Sequence, residues 1–141
     1  MNKTEVEPQS SLNRFVTLTG IPGSSGNEAD VAAEIVNQLI SAGLDPSQIA
    51  YDGAGERTRR EGNCGNLIVT LAGNGTGPRT LLSAHMDTVP ICVGSQPVID
   101  GDCVRSEIDT GLGADDRAGC AAILTAIVER LKRGDENFPP A

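Results

Sequence analysis

Aromatic residues are nearly missing from this chain: two phenylalanines, one tyrosine and no tryptophan among 141 residues. Its core must therefore be built from Ile, Leu, Val and Ala. Histidine is scarcer still. His85 is the sole imidazole, so any histidine chemistry has one address. No C-x-x-C pair occurs among Cys64, Cys92, Cys103 and Cys120, which removes the usual signal for a zinc knuckle or a redox motif. Small buried or half-buried thiols in a reducing compartment are expected instead of a disulfide framework. Positive charge is in deficit, with a formal net charge of −8. Nucleic-acid and anionic-membrane partners are not expected, because both demand basic patches. The one basic cluster, ERTRRE at 56–61, is interleaved with acids and reads as a solvated loop. No apolar run approaches the roughly 18 residues of a membrane span, and the opening MNKTEVEPQSS lacks the apolar segment of a secretory signal. A cytoplasmic address is expected.

The length suits one domain with a real core. Residues 1–10 are polar and are expected to be flexible. SLNRFVTLTG (11–20) reads as a short helix with Leu12, Phe15 and Leu18 inward, stopped at Gly20. A better helix follows in SSGNEADVAAEIVNQLISAG, where Val31, Ile35 and Leu39, flanked by Ala32, Val36 and Ile40, form an apolar stripe at helical spacing. Ser25 and Glu28 have the spacing of a capping box at its start. A short strand is expected between Leu44 and Tyr51, then a polar glycine-rich loop to Gly65. NLIVTLAG (66–73) and TLLSAHMDTV (80–89) read as strands covered on both faces, joined by the turn NGTGPR. PVIDGDCVRS reads as a hairpin turning at Asp100–Gly101. DDRAGCAAILTAIVERLKRG reads as a long helix ended by Gly134. Helices and buried strands thus mix along the chain, the pattern of an α/β layered domain.

Two segments carry the chemistry. In LLSAHMDTVP (81–90), His85 and Asp87 stand two apart, so in an extended segment both project to one side. An imidazole can ligate a metal while a nearby carboxylate takes its other N–H and fixes its tautomer. Alone, H-x-D is a common tripeptide, and a capping or surface pair is the ordinary reading. In GLGADDRAG (111–119), Asp115 and Asp116 open a helix, where acidic pairs are often only caps. The flanking Gly111, Gly113 and Gly119 suit a close backbone approach, and a carboxylate held on such a turn could bridge two cations.

Taken together, SAHMDTVP, about 30 residues, then GADDRAG resembles the co-catalytic dinuclear-zinc peptidase family, which includes peptidase T, glutamate carboxypeptidase, succinyl-diaminopimelate desuccinylase and aminoacylase. IPGSSGNEADVA and GNLIVTLAG extend the resemblance over most of the chain, and HMDTVP with LGADDRAG leans towards the peptidase T branch. The resemblance implies an α/β catalytic domain of three layers, helix, mixed sheet and helix. It implies His85 as a ligand to one zinc and Asp87 as the catalytic residue that orients it. It also implies Asp115 as the carboxylate bridging both metals, joined to Asp116 by a cis peptide bond. Asp116 is not a ligand in that pattern. Arg117 stands where the family often has lysine, at a position expected to be solvated. The implied activity is two-metal hydrolysis of peptide bonds in small peptides, as a tripeptide-type aminopeptidase. Zn²⁺ is the implied metal, two per complete site, with Mn²⁺ or Co²⁺ as replacements. Small peptides and N-acyl amino acids are the substrate classes, and homodimerisation is left open for a full-length protein.

The family pattern also has a general-base glutamate, a neighbouring glutamate ligand and a second histidine. This chain has one histidine and no Glu-Glu pair. Residues 11–141 are therefore expected to be the N-terminal portion of a metallopeptidase catalytic domain, without the dimerisation or lid domain and the C-terminal half. GDENFPPA ends where another core strand is expected. Alone, the chain is expected to bind zinc weakly or not at all and to be inactive. The alternative is a non-catalytic remnant serving as a binding or regulatory module.

Overall fold

A computed structural model of the chain describes residues 8–59, 61–71, 73, 78 and 80–134. Helix α1 runs Pro8–Gly20. It begins earlier than the polar composition of residues 8–10 implied, since Pro at a helix start costs no internal hydrogen bond. Residues 1–7 lie outside the described residues. Helix α2 spans Ala29–Ser41 and buries Val31, Ala32, Ile35 and Leu39. Ile40 is 43% exposed, so the apolar stripe is narrower than its composition. Gly43 ends the helix with φ +101°, a conformation cheap only for glycine.

The capping box expected at α2 does not form. Glu28 Oε1 accepts from the Gly26 N–H at 2.7 Å, but the Ser25 hydroxyl donates elsewhere, to the Asp87 carboxylate. The Ala29 N–H is met by Asn63 Oδ1 at 3.0 Å, a long-range partner that local spacing does not encode.

Strand β1 (Ile49–Tyr51) pairs antiparallel with β2 (Leu67–Val69), Ile49 facing Val69 and Tyr51 facing Leu67. The expected hairpin is present. β3 (Pro97–Asp100) pairs with β4 (Cys103–Ser106), and Asp100 opposes Cys103. The two loop residues are thus Gly101 and Asp102, one position beyond the expected turn, with Gly101 at φ +61°. Glycine at the first central position suits the twist of two-residue hairpins.

The segment 80–89 departs from its reading as a doubly covered strand. It forms one isolated parallel bridge, Thr88 to Ser24, and Leu81 and Leu82 are 89% and 60% exposed. Apolar runs specify burial only where another element covers them, and no described strand flanks this one. The turn expected at 74–79 lies almost wholly outside the described residues, as does the chain end at 135–141.

Helix α3 covers Ala114–Lys132. Its inner face (Cys120, Ala121, Leu124 and Val128) joins Leu18 of α1, the α2 stripe and Leu44 in one apolar core. α1 lies along α3, and Arg14 ties the pair through Thr125 Oγ1 at 3.2 Å and Glu129 Oε1 at 3.7 Å. Full burial of each aliphatic side chain contributes about 1.5–3 kcal/mol. This helical core is the platform on which the two motif segments rest. No helix among the described residues is long and apolar enough to cross a membrane.

Candidate metal centre

His85 and Asp87 do meet. The imidazole Nδ1 lies 3.1 Å from the Asp87 carbonyl oxygen and 3.1 Å from its Oδ1. Both are acceptors, so a proton on Nδ1 suits this side of the ring, and in that neutral tautomer the Nε2 lone pair is available to a cation. The second Asp87 oxygen, Oδ2, accepts a hydrogen bond from the Ser25 hydroxyl. Ser25 is positioned by the turn after α1, where the Thr88 N–H donates to Gly23 O at 2.9 Å and the Asn27 N–H to Ser24 O at 2.8 Å. From the other side, the Cys120 thiol donates to His85 O at 3.3 Å.

The adjacent aspartates of the second motif divide their roles. The peptide bond between them is cis, as the family resemblance implied. Asp116 Oδ1 turns inward and accepts the Gly119 N–H at 3.1 Å, an ordinary cap for the helix proper. Asp115 turns outward, its side chain 94% exposed, and its Oδ1 lies 3.2 Å from His85 Nε2. Gly119 permits this fold-back, because a Cβ there would lie 2.4 Å from Asp116 Oδ1. Gly113 (φ +79°) and Gly111 give the approach its clearance. An added Cβ would fall 2.9 Å from Thr88 Cγ2 and 2.6 Å from Cys92 Sγ respectively.

Arg117 corrects the reading of its position as solvated. Its side chain is fully buried and donates to the main-chain carbonyls of Met86 and Leu18, and at 3.3 Å to those of Ile21 and Gly23. Burial lowers its pKa, though a guanidinium starts so high that it stays charged. The carbonyls near the C-terminus of α1 favour that charge.

Electrostatics around His85 fit a cation. Burial acts to lower its pKa, but the Asp87 carbonyl and carboxylate and then the Asp115 carboxylate outweigh it, and the net shift is upward. An acceptor thus faces each ring nitrogen, and the place of a proton on Nε2 is one a metal ion can take. The donor set, one imidazole nitrogen and one carboxylate oxygen, suits zinc or a similar divalent ion. No group of three or more His, Cys, Asp or Glu side chains able to hold a metal occurs among the described residues, so this pair is the candidate donor set. A cleft of about 330 Å³ that includes Arg14, Glu34 and Lys132 shares no residue with this site.

Comparison with known proteins places the chain among the peptidases. The model of Peptidase family M28 matches residues 66–139, just over half of the chain. The chain belongs to that family. It is 32% identical over 131 residues to the uncharacterized protein YqjE of Bacillus subtilis (strain 168), covering 90% of this chain and 34% of that protein. Among solved structures it is similar to a tripeptidase from Staphylococcus aureus subsp. aureus Mu50, with TM-score 0.78 and 30% identity. It is also similar to aminopeptidase PepT from Bacillus cereus ATCC 10987, with TM-score 0.77 and 28% identity. Each match covers 92% of this chain and 34% of the other, so the chain spans about a third of the length of these relatives. The α/β peptidase fold and the leaning towards peptidase T agree with the motif resemblance.

Proposed function

We propose that this chain carries part of the metal site of a peptidase that hydrolyses amide bonds in small peptides, as a tripeptide-type aminopeptidase. His85 and Asp115 are its metal donors, and Asp87 is the residue that fixes His85. One observation carries the reading: His85 Nε2 and Asp115 Oδ1 stand 3.2 Å apart, although 30 positions separate them in sequence. Similarity to a tripeptidase and to aminopeptidase PepT supports the substrate class.

A bound divalent cation, zinc or in its place manganese or cobalt, would acidify a water and polarise a scissile carbonyl. The residues present prepare for that. Asp87 holds the Nδ1 proton, which fixes the ring's tautomer and raises its basicity. The Ser25 hydroxyl restrains the far oxygen of Asp87. Asp115 offers a carboxylate that no other described side chain neutralises, and its bridging of a second zinc belongs to this proposal. Asp116 contributes by capping and ligates nothing.

Catalytic zinc takes about three protein ligands, and a single histidine with one paired aspartate falls short. The 141-residue chain alone is therefore expected to turn over no di- or tripeptide with added Zn²⁺. Grafted in place of the matching third of the Bacillus cereus PepT, it is expected to support tripeptide hydrolysis that His85→Ala abolishes. A folded, metal-loaded graft that keeps its activity after His85→Ala would overturn the assignment.

A further inference from the structure

Arg117 is the largest fully buried side chain among the described residues, and no carboxylate pairs with it among the described ion pairs. A buried charge with no carboxylate in direct contact must be satisfied mainly by dipoles. Here main-chain carbonyls from two separate stretches do so. Leu18, Ile21 and Gly23 belong to the end of α1 and the turn after it, the turn that presents Ser25. Met86 lies between His85 and Asp87. Arg117 itself follows Asp115 by two residues. One planar group thus joins the segment that carries the imidazole, the turn that restrains Asp87 and the turn that carries the carboxylate. From these contacts we infer that Arg117 is a positioning residue that sets His85 and Asp87 in register with Asp115.

The geometry is specific to arginine. Nε serves Met86, Nη1 serves Leu18 and Ile21, and Nη2 serves Gly23. A lysine has one nitrogen and cannot span these carbonyls, which belong to different segments. Gly23 leaves room for the fork, since a Cβ there would stand 2.6 Å from Nη2. Arg14 provides a contrast. It too is nine-tenths buried, but it ties α1 to α3 through Thr125 and Glu129 and touches neither motif.

The inference rests on the metal reading for its functional meaning, but its test does not. His85 is the chain's single histidine, so its ring gives one set of nuclear magnetic resonance signals. The chain is compared with its Arg117→Lys, Gly23→Ala and Arg14→Lys variants. Ring nitrogen shifts report the tautomer, a Zn²⁺ titration followed on the same signals reports affinity, and circular dichroism reports folding. In Arg117→Lys the fixed Nδ1–H tautomer is expected to be lost and Zn²⁺ affinity to fall about tenfold or more, the range for residues supporting a metal ligand. Gly23→Ala, which displaces the fork without removing its charge, is expected to act in the same direction and decides the matter if Arg117→Lys does not fold. Arg14→Lys should lower the melting temperature and leave the ring signals unchanged. Wild-type ring signals and affinity in a destabilised Arg117→Lys, or in Gly23→Ala, would reduce Arg117 to a structural residue. If the parent chain binds no Zn²⁺ and the Bacillus cereus PepT graft keeps its zinc content after His85→Ala, the metal reading fails, while the tautomer measurement still decides the positioning role.

Discussion

Replacing Asp87 by asparagine separates two supports that this residue gives His85. The main-chain carbonyl and carboxylate Oδ1 both stand 3.1 Å from Nδ1. Asp87→Asn keeps the carbonyl and nearly the same shape and removes the charge. The carbonyl alone should hold the Nδ1–H tautomer. The upward pKa shift of His85, to which the carboxylate contributes, should shrink towards the ordinary value of 6.5. Less electron density then reaches Nε2, and loss of such a supporting carboxylate lowers metal affinity by about 10–100-fold. That equals about 1.4–2.7 kcal/mol. Zn²⁺ titrations run at a pH where the ring signals themselves show His85 deprotonated in both proteins read this loss free of proton competition. A variant with undiminished affinity and an unmoved His85 pKa would refute the argument that Asp87 supports the ligand.

Other outcomes follow from the same geometry. Asp115→Ala should barely alter stability, since the side chain is exposed, yet remove Zn²⁺ binding; Asp116→Ala should cost about 1 kcal/mol in urea unfolding, as lost caps do, and leave the donor pair in place. Because the folded His85 pKa is raised, protonation stabilises the metal-free fold. That contribution is complete below about pH 6.5 and vanishes as pH rises through the folded pKa, so wild type should melt above His85→Ala at low pH and not at high pH. Zn²⁺ affinity should run the opposite way, rising with pH as the cation displaces the proton. Burial pushes the Cys120 thiol up to about 11, so a thiol reagent at pH 8 should label exposed Cys103 first and Cys120 last. Leu124→Ala, at 2% exposure, should cost about 2–5 kcal/mol in urea unfolding.

Helical periodicity and glycine stops were enough to place α2, α3 and the hairpin, because those signals are local. Segment 80–89 differs from a doubly covered strand for the opposite reason: composition reports that Leu81 and Leu82 are apolar, and cover is a property of neighbours. The candidate site was legible as a pair of short patterns, and the structure brings His85 and Asp115 within 3.2 Å. Ser25 was legible only as a cap, since its hydroxyl chooses a partner 62 positions away. Arg117 offered one unused clue. A cation in the first turn of a helix opposes the helix dipole, and such a placement points to compensation from elsewhere, here the carbonyls around the end of α1.

In the proposed site, His85 and Asp115 together hold a metal ion. Ring ¹⁵N signals of His85 during a Zn²⁺ titration test it most directly. A moving Nε2 signal, a retained Nδ1–H signal and loss of the response in Asp115→Ala are expected. An equal response without Asp115, or a static Nε2 signal together with a Bacillus cereus PepT graft whose zinc content His85→Ala leaves unchanged, would contradict it.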